Sequence, residues 1–174
     1  MAHEVLTVCL GPDAHQDLDA AIGRALGPFD MEGDHEPYQG EWDQWWLPRG
    51  GGFTVVPGSE DDPRLVGMLR TAGEDPAPGE FAGGPRGLLD FRGMRSRAER
   101  LAATIRPGEH HLVPYAQWQV EWVVPTDHLL SLDGTWWHIR RTEMPPQVRS
   151  LDFANRYLDD LPPETMVVRL HLHC

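Results

Sequence analysis

The hydrophobic period of this chain switches several times between two and 3.6 residues, and the order of the switches predicts one mixed α+β domain over residues 1–174. Residues 4–10 alternate, with Leu6, Val8 and Leu10 on one face, as a strand requires. After Gly11-Pro12 the period lengthens. A helix is expected to start near Asp13, bury Leu18, Ile22, Ala25 and Leu26, and stop at Gly27-Pro28. Residues 41–47 read as a second strand, 48–52 as a turn and 53–56 as the returning strand. Residues 73–87 are rich in proline and glycine, lack periodicity, and are expected to form a mobile loop too polar to pack.

The second half repeats this logic. A helix is expected over residues 91–105, its arginines Arg92, Arg95, Arg97, Arg100 and Arg106 solvated opposite Met94, Leu101 and Ile105. Residues 116–124 alternate as a strand with Trp118 and Trp122 on one face and Glu121 on the other. Residues 128–132 and 135–139 flank Asp133-Gly134, a pair that favours a type I′ hairpin. A last helix over 147–160 is expected to bury Val148, Leu151, Leu158 and Leu161, and Pro162-Pro163 ends it before a closing strand, residues 165–173. Elements in this order suggest a ferredoxin-like sandwich: a mainly antiparallel sheet, helices gathered on one face, plus an added hairpin and helix.

The closing strand carries the sharpest polar pattern. Met166, Val168, Leu170 and Leu172 alternate with Val167, Arg169, His171 and His173, so an arginine and two imidazoles share a face at intervals of roughly 7 Å. Arg169, His171 and His173 are therefore candidate catalytic groups. His171 and His173 could also ligate one divalent transition metal, given a third ligand such as His138, His110, His111 or Glu121. A plainer reading is that imidazoles on the polar face of a terminal strand are simply solvated.

A second constellation runs Trp42-Asp43-Gln44-Trp45-Trp46-Leu47-Pro48-Arg49-Gly50-Gly51-Gly52. Asp43 stands among indoles; burial there would disfavour its charged form and suit it to general acid–base work beside an arginine or histidine. It is the fourth candidate catalytic residue. The three glycines allow close backbone approach to a ligand and offer amide donors to an anion, although they equally suit a hairpin turn. Trp42, Trp45, Arg49, Trp118, Trp122, Glu121, Trp136 and His138 complete the expected ligand-binding set, a tryptophan-lined sheet face. Tryptophan clusters also serve as core.

Composition narrows the chemistry. All 15 basic residues are arginine, only Asn155 represents asparagine, and isoleucine is scarce, as expected where A- and T-rich codons are avoided in a high-GC bacterium or phage. Without lysine there is no Walker A loop, no kinase-type phosphate clamp and no Schiff-base or pyridoxal-phosphate enzyme. A net charge of -12 opposes nucleic-acid backbones and anionic membranes. Residues 1–10 lack the pattern of a signal peptide and no apolar run has membrane length, so a cytoplasmic protein is expected. Cys9 and Cys174 make neither a disulfide framework nor a CxxC pair, and Cys9 is expected in the core. No serine stands in a GxSxG context.

Gly27-Pro28-Phe29-Asp30, Trp42-Asp43-Gln44-Trp45, Leu88-Leu89-Asp90-Phe91, Leu132-Asp133-Gly134-Thr135-Trp136 with His138, and His171-Leu172-His173 together carry a resemblance. The chain resembles a group of small proteins from actinobacteria and their phages that have no assigned activity. It departs from the group where Arg49 precedes the glycines and where His171 replaces an aspartate. The resemblance implies that these positions form one site without naming its chemistry. Two function classes follow. One is a small-molecule-binding protein or small enzyme using Asp43, Arg169, His171 and His173 on the tryptophan-bearing face. The other is an accessory module that docks a protein partner through exposed tryptophans and the arginine helix.

Overall fold

The protein is described by a computed structural model over residues 3–34, 36, 39–69, 79–91, 126–139 and 146–174. Its elements are β1 (His3–Leu10), α1 (Leu18–Leu26), β2 (Gln44–Trp46), β3 (Phe53–Thr54), β4 (Glu80–Phe81) and β5 (Gly83–Pro85), then β6 (His128–Leu130), β7 (Trp136–His138), α2 (Pro146–Asp160) and β8 (Met166–His173). The expected helix over 91–105 and the strand over 116–124, with Trp118, Trp122 and Glu121, lie outside the described residues apart from Phe91.

β1 and β8 form the centre of a mixed sheet in the order β2-β8-β1-β6-β7. Their antiparallel pairing runs from His3 opposite His173 to Leu10 opposite Met166. β6 lies parallel to β1 on the other side, and β6 and β7 form the expected hairpin. The outer edge of β8 is shared: β2 pairs with its last three residues and β5 with its first three. Between them the backbone N–H of Arg169 donates to the Ala82 carbonyl, 2.8 Å.

Central placement changes the reading of β1. The strand is buried on both faces from Leu6 to Leu10, because α1 covers one face and α2 the other. Leu6, Val8, Leu170 and Leu172 pack with Ala21, Ile22 and Leu26 of α1; Cys9, Leu129 and Val167 pack with Ala154 and Leu158 of α2. The helices therefore do not gather on one face, and the strand next to β1 is the first of the hairpin, running parallel. The architecture is α+β with a mostly antiparallel sheet, and these two features depart from the ferredoxin-like arrangement. Periodicity tells which side of a helix is apolar, not which side of the sheet will cover it.

Local signals explain the ends of α1. Gly11 and Pro12 open a 3-10 turn over Pro12–Gln16, so the α-helix begins later than expected. Asp17 is its cap, accepting from the Ala20 amide at 3.1 Å. Pro28 ends it, since its ring removes an amide donor.

Three further expectations are corrected. β2 and β3 are not partners; β2 pairs with β8 and β3 with β4. Residues 79–87, read as part of a polar loop, hold β4 and β5, and Ala82, Gly83, Gly84 and Pro85 are buried. A Cβ at Gly83 would stand 2.3 Å from the Val167 carbonyl oxygen, so glycine here lets one backbone lie against another. At the hairpin only Gly134 has positive φ, +81°, and its amide donates to Ser131 O at 2.9 Å. A type I′ turn needs Asp133 in that region too, so the loop instead has the form of a type I turn closed by a glycine bulge.

Candidate functional site

β8 divides its side chains between the two faces, and register with β1 fixes which is which. Arg169, His171 and His173 point to the α2 side, opposite Thr7, Val5 and His3 respectively. Trp46 joins them, since it is opposite His171, whereas Trp45 is opposite Leu172 and packs into the α1-side core. Trp42 also belongs to that core, its Nε1 donating to the Leu26 carbonyl at 2.9 Å, and so does Trp136. The expected single tryptophan face is thus two faces: Trp42, Trp45, Trp136 and His138 lie on one, and Trp46 with the β8 imidazoles on the other.

On the α2 side, the end of β8 carries a half-buried polar and aromatic cluster. Asp43 is not buried as expected. Its side chain is 36% exposed, because β2 is a short edge strand, and Oδ1 accepts from His173 Nδ1 at 2.7 Å. A carboxylate only accepts, so this bond puts a proton on Nδ1. Trp46 stands edge-on to His3 at 5.2 Å and to His171 at 6.2 Å. Burial, the Arg169 charge and His3 hold the His171 imidazole below its usual pKa, against an opposing effect of Asp127. His3 had no sequence signal beyond standing at the start of β1. Arg49 is exposed in the turn beyond β2.

Arg169 is the other exception on β8. It is buried, with its guanidinium 4.8 Å from the centre of the Phe53 ring and Nη1 donating to the Gly51 carbonyl. The glycine turn and the strand arginine, singled out separately in the sequence, therefore meet. Burial lowers the Arg169 pKa to about 10, opposed by the charge of Glu80.

A second polar cluster lies on the α1 side, and of its members the sequence reading had named only Trp136 and His138. His128 Nε2 bonds to Glu4 Oε2 at 2.5 Å, and Trp136 Nε1 faces His128 Nδ1 at 3.4 Å. Burial depresses the His128 pKa, with Glu4 acting in the opposite sense. A neutral His128 then donates from Nε2 to Glu4 and accepts at Nδ1 from Trp136, so both ring nitrogens are engaged. His138 pairs with Glu41 at 3.0 Å, and the two imidazoles lie edge to face, 5.1 Å apart. This network fastens β6 and β7 to β1. Glu4 and His128 are 124 residues apart in the chain, which is why no local motif announced them.

Of the third metal ligands expected from the sequence, only His138 falls among the described residues. His138 lies on the face opposite His171 and His173, His110, His111 and Glu121 lie outside the described residues, and among the described residues no three metal-ligating groups converge. A cleft of about 410 Å³ lies elsewhere, at the carboxyl ends of the parallel strands β1 and β6, lined by Gly11, Asp13, Arg24, Leu130, Ser131 and Gly134 among others. It shares no residue with the expected site. Among the described residues no helix is long and apolar enough to cross a membrane. Comparison with protein-family models, curated proteins and solved structures gives no match.

Proposed function

We propose that the protein binds a small molecule along the α2-side face of β8, with Asp43, His171 and His173 as polar contacts and Trp46 as the aromatic surface. The observation that carries this reading is the Asp43–His173 pair at 2.7 Å beside Trp46 and an imidazole held neutral. The carboxylate orients one ring, the neutral ring of His171 can accept a hydrogen bond, and the indole supplies contact area that desolvates cheaply. The same pair would serve a proton transfer in an enzyme of this geometry. A cytoplasmic setting belongs to the reading.

Tryptophan fluorescence on titration with a small-molecule library tests it. Trp46→Ala or His171→Ala should each weaken a bound ligand by about 1–3 kcal/mol, the worth of a lost packing surface. Trp45→Phe, on the other face, should leave affinity unchanged. A ligand whose affinity survives both β8-side substitutions, or depends on Arg24 of the β1/β6 cleft, sinks this placement.

A second reading, docking of a protein partner, is favoured by one observation. Leu132, Trp137 and Phe153 are exposed at 44%, 39% and 41%, and the Trp137 and Phe153 rings lie 4.8 Å apart. The Arg92–Arg106 segment invoked for that reading lies outside the described residues.

A further inference from the structure

Two side chains that face each other across the centre of the sheet have hydrogen-bonding atoms left unused among the described residues. Thr7 and Arg169 are register partners in β1 and β8, so both point to the α2 side with their Cβ atoms about 5 Å apart. Thr7 is wholly buried and Arg169 is 5% exposed. Thr7 Oγ1, Arg169 Nε and Arg169 Nη2 are all buried without a hydrogen-bond partner among the described residues. Nε and Nη2 form the side of the guanidinium that presents two parallel N–H groups, the fork that takes an oxyanion in bidentate fashion.

An uncompensated buried cation is among the costliest features a fold can carry, and three idle polar atoms on two register partners add to that cost. Phe53 and the Gly51 carbonyl offset part of it on one side of the guanidinium. Glu80 acts on it electrostatically, with no hydrogen bond between them among the described residues. A neutral water could satisfy the donors but would leave the charge.

We propose that Thr7 and Arg169 anchor an oxyanion, the carboxylate or phosphate group of a small ligand, held side-on by Nε and Nη2 and bonded by the Thr7 hydroxyl beneath the Gly50–Gly52 turn. Gly51, at φ +71°, a backbone conformation that L side chains rarely adopt, lies in this turn and supplies the carbonyl that caps Nη1. The inference rests on the reading that this face of β8 takes a ligand, and it names the ligand's class: the anionic group sits at Arg169 and the remainder extends over His171 and Trp46 toward Asp43. Glu80 repels the anion and sets its affinity low in the free protein.

The test uses inorganic phosphate and acetate against chloride at constant ionic strength, followed by thermal unfolding and by the Arg169 Nε–H resonance. The unfolding midpoint should rise with phosphate or acetate concentration and not with chloride, and the Nε–H resonance should move in step. The arm that responds identifies the anion's geometry. Thr7→Val, which keeps the shape of the side chain, should fold at least as stably as wild type and reduce the anion effect about tenfold or more in dissociation constant. Arg169→Met should abolish it, and Glu80→Gln should strengthen it. No midpoint shift with either oxyanion and a stationary Nε–H resonance overturn the proposal and leave a buried water as the partner. An oxyanion effect unchanged in Thr7→Val overturns it as well. Loss of Trp46-dependent ligand binding with the anion effect intact would instead remove only the broader reading of the β8 face.

Discussion

Asp43 and His173 stand 130 residues apart in the chain and meet at 2.7 Å where the edge strand β2 closes onto the end of β8. The backbone makes the same junction, with the Asp43 amide donating to the His173 carbonyl at 3.1 Å. Both side chains are partly solvated, so screening leaves this contact worth under about 1 kcal/mol to stability. Asp43→Asn is expected to shift the unfolding free energy by no more than that in denaturant titration. It should still weaken a ligand of the β8 face, because an amide can donate to Nδ1 and permit the opposite tautomer of His173. A large loss of stability with unchanged binding would make the pair purely structural.

Gly83→Ala tests the contact between β5 and β8. The added methyl would meet the Val167 carbonyl oxygen at 2.3 Å and the Val168 Cα at 2.7 Å, both backbone atoms that cannot rotate away. A cost of about 1–3 kcal/mol or more is expected from overpacking, read as a lower denaturant midpoint. Gly11→Ala, at a position with open space around it, serves as the control and should be nearly neutral.

That contact also shows why part of the fold was legible and part was not. The alternation in β8 and in β1 survives inspection of the sequence because each strand's own period records its two faces. The spacing of Leu18, Ile22, Ala25 and Leu26 does the same for α1, although it passed over the buried Ala21. Partner choice leaves no such record. Nothing in residues 53–54 says that they pair with 80–81 rather than with β2, and glycine and proline in 83–85 read as loop although they mark a close approach of strands. The candidate site follows the same division. The common side of Arg169, His171 and His173 was visible, whereas the burial of Arg169, the exposure of Asp43 and the Glu4–His128 bond depend on which distant segment covers each.

Acid sensitivity follows from two imidazoles. Burial depresses the pKa of His128 and of His171 below the ordinary 6.5. The unfolded chain then binds more protons than the folded one in the window below 6.5, so stability rises with pH there. It is fully present above 6.5 and is lost as pH falls through the depressed folded values. His128→Gln, which keeps a donor toward Glu4 without titrating, should flatten this dependence in denaturant titrations across the window. An unchanged slope in both His128→Gln and His171→Gln would place the acid sensitivity elsewhere.

The two thiols should separate cleanly. Burial pushes Cys9 up to about 12, in the core beside Leu129 and Val167, while Cys174 is exposed. A thiol-reactive chromogen is expected to count one group per folded chain and two after denaturation. Fast modification of Cys9 in the native protein would mean that the α2-side core opens readily.

Phe53 links the core to the buried arginine. Its ring is fully buried, lies 5.9 Å from the Phe91 ring centre, and carries the Arg169 guanidinium at 4.8 Å from its own. Phe53→Ala should cost about 3–5 kcal/mol, as loss of a buried aromatic does. Phe53→Leu keeps most of the apolar volume and removes the quadrupole that faces the cation, so it isolates the cation–π contribution of about 0.5–2 kcal/mol. The separation is made by a double-mutant cycle with Arg169→Met, in which a coupling of that size should appear between the two positions. Additive costs would show that Phe53 stabilises only the apolar core, and the charge of Arg169 would then rest on the Gly51 carbonyl, the field of Glu80 and whatever anion the site admits.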